Sequence, residues 1–212
     1  MAIRAPMMKE PEAATDVFAV DVGDGTAGFT SNFPVDMALR KGDVTSTQQN
    51  QLTSRLRQKK GMYTDSTASE FNAGGFTFDS NVGWSSVGSA SNDYSWMWKR
   101  AKGFMDVVAY SGTGSATTVA HSLSVIPELM ICKRRSSTED WTVYNSTSGA
   151  TKYLNLNTAD AAASASSIWN DTAPTSAVFS VGAHGRVNSS GQTYIAYLFA
   201  TLAGISKVGS YS

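Results

Sequence analysis

The glycine-rich segment Gly23-Asp-Gly-Thr-Ala-Gly28 is the part of the sequence that could cradle a phosphate group. It follows an apolar run and satisfies the Gly-x-Gly-x-x-Gly pattern of dinucleotide-binding loops. In those loops a helix follows, and its N-terminus meets the pyrophosphate. Here residues 29–34 show no helical period and end in a proline. The segment therefore predicts a β-turn rather than a nucleotide-binding loop.

Three aspartates near this segment, Asp21, Asp24 and Asp36, could supply oxygen ligands to Ca²⁺. Calcium takes about six to eight oxygen ligands, and the spacing of these residues matches no EF-hand loop. Capping of turns is the favoured interpretation, with a structural ion as the alternative. The single cysteine, Cys132, excludes an internal disulfide and a four-cysteine zinc site, and its apolar neighbours predict a buried thiol. We predict neither a metal nor a cofactor.

Hydrolytic chemistry needs a nucleophile, a base and an acid that orients the base. The two histidines, His121 and His184, belong to no recognisable serine motif. Glu139 and Asp140 adjoin Trp141, as the carboxylates of a glycosidase could. However, neighbouring residues on a strand point to opposite faces, so two loop carboxylates are the favoured interpretation. The sequence predicts no catalytic residues and a protein that is not an enzyme.

The tryptophans divide into two groups by their surroundings. Trp84 and Trp169 lie in polar, turn-like segments, whereas Trp96, Trp98 and Trp141 lie in runs typical of strands. Sugar rings stack on exposed aromatic faces much as nucleotide bases do. We therefore predict Trp84 and Trp169 as surface residues, in contact with a sugar or with a sister subunit. Tyr194 and Tyr197 also lie in such runs, and core packing is the expectation for most of these five strand aromatics.

The densest basic cluster has four members: Arg55, Arg57, Lys59 and Lys60. They fall in residues 46–60, where Leu52 and Leu56 at i and i+4 predict the one helix of the chain. A solvated helix face is the favoured interpretation of the cluster. The alternative is an assembly contact that pairs with an acidic patch on a neighbouring subunit.

Residues 1–15 show neither a helical nor a strand period and contain two prolines. They predict an arm that is ordered only where a neighbouring subunit holds it. Its candidate assembly contacts are Arg4, Met7, Met8 and Lys9. The arm has no apolar signal core, and no stretch of the chain approaches the roughly 18 apolar residues of a membrane-spanning helix. We therefore expect a soluble protein made without export.

Composition favours an all-β protein without charged partners. In 212 residues, Lys+Arg and Asp+Glu balance at 17 each, so nucleic acid and anionic membranes are not implied as partners. Charged residues make up only 16%, and serine, threonine, glycine and aromatic residues are abundant, which is typical of short strands joined by turns. A neutral, hydroxyl-rich surface also tolerates close packing among neighbouring subunits.

An internal duplication is the strongest signal in the sequence. Residues 16–104 and 105–212 share a series of matched blocks in the same order, and the last eight residues repeat the opening of the second copy. One pair of blocks is Phe33–Lys41 with Ile126–Arg134, in which a proline precedes an apolar strand and a basic pair. We predict two tandem, duplicated, jelly-roll-like β-sandwich modules at these residues, after the arm of residues 1–15.

The second copy also resembles a known kind of module. The residues that carry the resemblance are Pro127–Arg135, Trp141–Tyr144, Thr151–Asn157 and Val187–Tyr197. Their pattern is similar to a β-sandwich module repeated in tail-fibre-like virion proteins of tailed phages, mainly marine and cyanobacterial phages. The segment Tyr110-Ser-Gly-Thr-Gly114 looks like the joints between such modules. The first copy departs from the pattern over residues 48–60, where a tryptophan-containing strand is expected.

The resemblance implies a non-catalytic structural component of a bacteriophage virion, assembled in the host cytoplasm. A tail or baseplate accessory, a short tail fibre or a capsid decoration protein would fit. Such a protein docks onto other virion proteins, here through the arm and the modules, and it is expected to be a homo-oligomer, for which a trimer is common. The alternative is a carbohydrate-binding module that recognises a glycan receptor on the host surface.

Overall fold

The computed structural model describes residues 8–26, 28–42, 49–86 and 92–210, and these residues form β-structure almost throughout. The first eight strands are β1 (Phe18–Val22), β2 (Gly28–Thr30), β3 (Met37–Lys41), β4 (Gln51–Ser54), β5 (Lys60–Tyr63), β6 (Phe71–Asn72), β7 (Gly83–Ser85) and β8 (Tyr94–Trp98). The next eight are β9 (Met105–Ser111), β10 (Thr117–Ala120), β11 (Leu129–Arg134), β12 (Thr142–Asn145), β13 (Lys152–Asn155), β14 (Ala163–Ser164), β15 (Val178–Val181) and β16 (Thr193–Phe199). The short helices are α1 (Ser166–Trp169), α2 (Gly185–Asn188) and a 3-10 turn at Ala14–Asp16.

The two sets of strands have the same topology. In the first module a six-stranded sheet has the order β1-β8-β3-β4-β5-β6, and β2 pairs with β7 in a small second sheet. In the second module the corresponding order is β9-β16-β11-β12-β13-β14, and β10 pairs with β15. Each strand of the second module thus occupies the place of the strand numbered eight lower in the first module, in both the large and the small sheet. The prediction of an all-β protein with two duplicated β-sandwich modules is therefore confirmed.

The strand registers fix which residues are equivalent in the two modules. Trp98 pairs with Met37 across β8 and β3, and Phe199 pairs with Leu129 across β16 and β11. A turn hydrogen bond gives a second reference point, because the Thr64 N–H donates to the Asn50 carbonyl at 3.1 Å and the Leu156 N–H donates to the Trp141 carbonyl at 3.0 Å. Asn50 of the first module is thus the counterpart of Trp141 in the second.

Each large sheet contributes side chains from both of its faces to hydrophobic cores, because successive side chains of a strand point to opposite sides. In the first module Ala38 and Met97 face the small sheet and pack with Phe29 and Trp84. In the second module the corresponding core contains Met130, Cys132, Phe179 and Val181. The opposite faces of the two large sheets share a third core, which contains residues of both modules: Met37, Leu52, Met62, Val107, Ile195 and Tyr197.

The predicted helix over residues 46–60 is wrong in its described part. Residues 51–54 and 60–63 form β4 and β5, which pair as an antiparallel hairpin. Leu52 enters the shared core, while Leu56 lies exposed in the connecting turn. Gln58 and Lys59 adopt positive φ angles of 38° and 46°, which end any helical path at that turn. Pairing with β3 therefore overrides the weak helical period.

The described part of the predicted arm packs on its own chain, which differs from the expectation that a neighbour must hold it. Met8 is buried. The Asp16 carboxylate accepts hydrogen bonds from the N–H groups of Glu12 and Ala13, at 3.0 and 2.9 Å. Lys9 is exposed and pairs with Glu12. The other two predicted contacts, Arg4 and Met7, lie outside the described residues.

A search of these described ranges for membrane-spanning elements finds no helix of sufficient length and apolar character to cross a bilayer.

Candidate functional site

The contact between the modules uses the same face of each large sheet. Leu52 and Met62 of the first module pack with Ile195 and Tyr197 of the second in one continuous core. Reciprocal use of equivalent faces is the pattern of a two-fold interface between subunits. Here that pattern joins two halves of one chain. Its two edges, however, are built differently.

One edge, which we call the closed side, is sealed by polar contacts between the modules. The Trp141 indole is fully buried, and its Nε1–H donates to the Tyr63 carbonyl at 2.9 Å. The Lys133 ammonium donates to the Thr67 carbonyl at 2.9 Å. Glu70 accepts two hydrogen bonds from the Arg135 guanidinium, at 2.9 and 3.2 Å. Backbone and side chains of both modules thus close this edge.

Lys133 is an unusual component of the closed side because its side chain is completely buried. Its ammonium donates to the carbonyls of Thr67 and Glu139 and lies 5.9 Å from the centre of the Trp141 ring. Burial lowers the pKa of Lys133 to about 8, while the nearby charges of Glu139 and Asp140 oppose that shift. The contact therefore carries a desolvation cost that its hydrogen bonds offset.

Glu70 also connects the closed side to the interior of the first module. Besides Arg135, it accepts a hydrogen bond from the buried Arg57, at 3.4 Å. Arg57 also donates to the Leu52 carbonyl at 2.8 Å and to the Ser54 hydroxyl at 3.2 Å. One carboxylate therefore balances two guanidinium groups at the interface.

Next to the closed side, past the Tyr63–Thr64 peptide, the modules enclose a cleft of about 690 Å³, and we call this edge the open side. Its apolar walls are formed by Met37, Leu39, Leu52, Trp98, Leu129, Ile131, Leu156, Ala159, Tyr197 and Phe199, and its polar lining by Asn50, Thr64, Asp65, Asn157 and Thr158. Asn50 lies at the position where the other module has Trp141. An apolar cavity of this size with a few polar groups is typical of a binding site.

An uncovered row of apolar side chains is continuous with the cleft through Trp98. We call it the aromatic strip, and its members are Phe18, Val20, Val22, Tyr94, Trp96 and Trp98. They share one face because directly opposite residues of an antiparallel pair project to the same side. Val20 is 50% and Tyr94 37% exposed. The rings of Tyr94 and Trp96 stack with centres 6.3 Å apart.

Most of the equivalent residues of the second module are covered, although Ala109, the counterpart of Val22, is exposed. When residues are matched by strand pairing from the equivalent Trp98 and Phe199, Val20 corresponds to Val107, which is 2% exposed. Tyr94 corresponds likewise to Ile195, which is fully buried. The first module thus covers the second on the closed side, whereas the matching surface on the open side has no such cover from the described residues.

Both tryptophans predicted as surface contacts are core residues, so that prediction is wrong. Trp84 is 1% exposed, stacks between Phe29 and Phe78, and donates its Nε1–H to the Ser95 hydroxyl at 2.9 Å. Trp169 is also 1% exposed and meets the Tyr144 ring edge-on. Trp84 belongs to strand β7 and Trp169 to helix α1, and both indoles point inward.

The expectation of core packing for most of the strand aromatics holds, since Trp141, Tyr194 and Tyr197 are buried. Trp96 and Trp98 are only partly buried. All three tryptophans lie in similar apolar runs, so the sequence around each gives the same strand signal. Which strand face another module covers is decided by tertiary packing. The one available signal was the absence of a tryptophan at position 50 of the first copy.

The four basic residues predicted as an assembly contact do not form one surface. Arg57 is buried, and Arg55 donates to the carbonyls of Val35 and Phe78 and pairs with Asp36 at 3.4 Å. Lys59 is exposed, and Lys60 bonds the side chain of Asn72. The turn between β4 and β5 sends these side chains in different directions.

The aspartates near the glycine-rich segment accept backbone hydrogen bonds, and of the three, Asp24 caps a local turn as predicted, whereas Asp21 and Asp36 bond more distant residues. Asp24 accepts from the Thr26 N–H at 2.8 Å, and Asp21 accepts from the Thr30 N–H at 2.7 Å. Asp36 accepts from the Arg100 N–H at 2.8 Å, and burial raises its pKa. Among residues 8–26, 28–42, 49–86 and 92–210, no group of three His, Cys, Asp or Glu side chains is placed to hold a metal ion.

The glycine-rich segment itself leads into strand β2, which agrees with the prediction of a turn. The remaining groups with possible chemistry have structural partners. His184 caps α2 by accepting the Arg186 N–H at 3.2 Å. The Arg186 guanidinium pairs with Asp140 at 2.9 Å and lies 3.7 Å from Glu139. Burial raises the pKa of the Cys132 thiol to about 12, so the buried thiol was predicted correctly.

Fold and site together define a duplicated β-sandwich protein whose modules meet face to face around an apolar cleft. The chain belongs to the family described as a domain of unknown function, DUF7483, whose profile matches residues 29–212. No curated protein and no solved structure matches the chain.

Proposed function

We propose that this chain is a non-catalytic structural component of a bacteriophage virion that docks onto other virion proteins through its open side. The observation that carries the proposal is the cleft with the adjoining aromatic strip. Exposed contiguous apolar patches on soluble proteins mark interaction sites. The equivalent surface of the second module is buried by protein, which supports a protein partner for this one.

The assignment to a virion rests on the sequence. The second module resembles the modules of tail-fibre-like proteins, and the neutral composition suits a subunit with many protein neighbours. A tail or baseplate accessory, a short tail fibre and a capsid decoration protein all fit this proposal. A homo-oligomer, such as a trimer, is part of it.

The experiment compares incorporation of variants into particles of the phage that encodes the chain. Val20→Asp combined with Tyr94→Asp places two charges on the aromatic strip, and Val82→Asp is the control because Val82 is equally exposed outside the strip. Thermal denaturation first establishes that both variants fold. We expect purified particles to contain the control at the wild-type level and to lack the strip variant. Equal amounts of both variants in the particles would overturn the proposal.

A second candidate is a carbohydrate-binding module for a host glycan, favoured by the stacked, partly exposed rings of Tyr94 and Trp96. Flat aromatic surfaces of this kind bind sugar rings. Binding to a host-surface glycan array tests it. Saturable binding that Trp96→Ala abolishes and Val82→Ala leaves intact supports this candidate, and no binding by the wild-type protein excludes the arrayed glycans.

A further inference from the structure

The closed side contains a filled example of a site that none of the described residues fills on the open side. Trp141 follows the connection from β11 and inserts its indole between the modules. There the ring is fully buried, donates Nε1–H to a backbone carbonyl of the other module at 2.9 Å, and lies 5.9 Å from the Lys133 ammonium. The interface thus supplies an apolar slot, a carbonyl acceptor and a cation for one indole.

Strand pairing gives counterparts of Trp141, Lys133 and Tyr63, and among these counterparts only Asn50 lines the cleft. Asn50 takes the place of Trp141, and Lys41 takes the place of Lys133 on β3. Asn155 is the counterpart of Tyr63, whose carbonyl accepts the hydrogen bond from the Trp141 indole. The two residues are equivalent because Tyr63 pairs with the first residue of β4 and Asn155 pairs with the first residue of β12. The cleft of about 690 Å³ lies beside Asn50. A missing ring therefore accounts for part of the space.

We propose that the open side binds a tryptophan side chain presented by a partner protein. An indole inserted beside Asn50 would meet apolar walls equivalent to those around Trp141. Polar groups of the lining such as Asp65 suit the backbone on either side of such a residue. This inference deepens the proposed function, because it names the chemistry that the partner contributes to the same surface.

The partner is a different protein rather than a second copy of this chain. The sequence has five tryptophans, of which Trp84, Trp141 and Trp169 are buried in cores. Trp96 and Trp98 belong to the aromatic strip and lie on the same surface as the cleft. The chain therefore offers no exposed tryptophan on another face that could enter the cleft of a copy.

The test uses the isolated full-length protein and N-acetyl-L-tryptophanamide as the probe, with N-acetyl-L-leucinamide as the control ligand. Titration followed by NMR chemical shifts is expected to give saturable binding of the tryptophan amide, centred on cleft residues, and much weaker binding of the leucine amide. Asn50→Trp fills the slot from within the chain and should abolish binding. Asn50→Ala is the matched control and should retain it.

A positive control comes from the closed side. Trp141→Ala empties the known indole slot, so free indole should raise the melting temperature of that variant. If that variant does not fold, the Asn50 pair alone decides the test. No saturable binding by the wild-type protein, or equal binding by Asn50→Trp and Asn50→Ala, overturns the inference. Self-association of the wild-type protein that Asn50→Trp abolishes also overturns it, because the occupant would then be a second copy.

The outcome is separable from that of the proposed function. Loss of strip variants from the particles together with no tryptophan binding would remove the inference and keep the docking role.

Discussion

Trp96 and Tyr197 occupy equivalent positions on the central strands of the two modules, but only Tyr197 is fully covered. Tyr197 is 1% exposed beneath β4 and β5 of the first module, whereas Trp96 is partly exposed on the aromatic strip. The two faces carry similar side chains, so their difference comes from how the modules meet. On the closed side the Trp141 ring fills the contact between the modules, whereas its counterpart Asn50 lines the cleft on the open side.

Filling the cleft from within the chain should stabilise the protein. We expect Asn50→Trp to raise the free energy of unfolding by about 0.5–2 kcal/mol, as cavity-filling changes commonly do. Urea denaturation measures this, with Asn50→Ala as the control. A loss of stability in Asn50→Trp relative to Asn50→Ala would mean that the slot beside Asn50 does not match the one around Trp141.

Removal of the Trp141 ring should lower the free energy of unfolding much more than removal of Trp98, a tryptophan of the cleft wall. Truncation of a fully buried tryptophan costs about 3–5 kcal/mol. We therefore expect a loss in that range for Trp141→Ala, and a clearly smaller loss for Trp98→Ala, because Trp98 is only partly buried. Chemical denaturation of both variants gives the comparison. Equal losses would contradict the asymmetry of the two sides.

Lys133 should make stability depend on pH in a defined window. Its pKa in the folded protein is about 8, below the ordinary value of 10.5. Between these values the unfolded chain binds a proton that the folded protein does not, so stability rises with pH. Below pH 8 both states are protonated, and the full desolvation cost is present.

The measurement is the free energy of unfolding from pH 7 to 10.5 for the wild type and for Lys133→Met. Subtraction removes the titration of cysteine and tyrosine, which both proteins share. We expect the wild type to gain stability relative to Lys133→Met as the pH rises above about 8. Lys152→Met, at an exposed lysine, is the control and should show no such trend. Parallel curves for the wild type and Lys133→Met would contradict the buried-ammonium description.

Glu70 should be the most sensitive carboxylate of the interface. Glu70→Gln leaves the guanidinium groups of Arg57 and Arg135 without their counter-ion, and breaking such a buried pair costs about 3–5 kcal/mol. The matched control is Glu12→Gln, whose partner Lys9 is exposed, and there we expect no measurable change. Thermal denaturation at neutral pH compares them. A Glu70→Gln protein as stable as the control would show that the network contributes nothing.

The sequence predicted the overall architecture because duplication and strand period are local signals. The matched blocks around β3 and β11 show both modules, and the apolar run of β16 indicates a strand buried on both faces. Leu52 and Leu56 misled the prediction, since two leucines four residues apart also fit a hairpin in which one is buried. Pairing partners far along the chain, such as Met37 for Ser54, decided that segment.

The site was harder to predict because the exposure of a strand's side chains depends on which other sheet packs against that face. Polar neighbours made Trp84 resemble a surface residue, although its indole closes the core beneath β2 and β7. Trp96 carries the same strand signal as Trp141, and no local pattern separates a covered face from an open one. Comparison of the two copies position by position is informative, since Asn50 replaces a tryptophan in an otherwise similar framework.

The proposed docking in a virion is best tested by electron cryomicroscopy of particles of a phage that encodes this chain. The docking proposal predicts density for the chain with its aromatic strip and cleft buried against another virion protein, and with a tryptophan side chain of that protein beside Asn50. A chain that is missing from the particle, or one whose open side faces solvent in every copy, would contradict it.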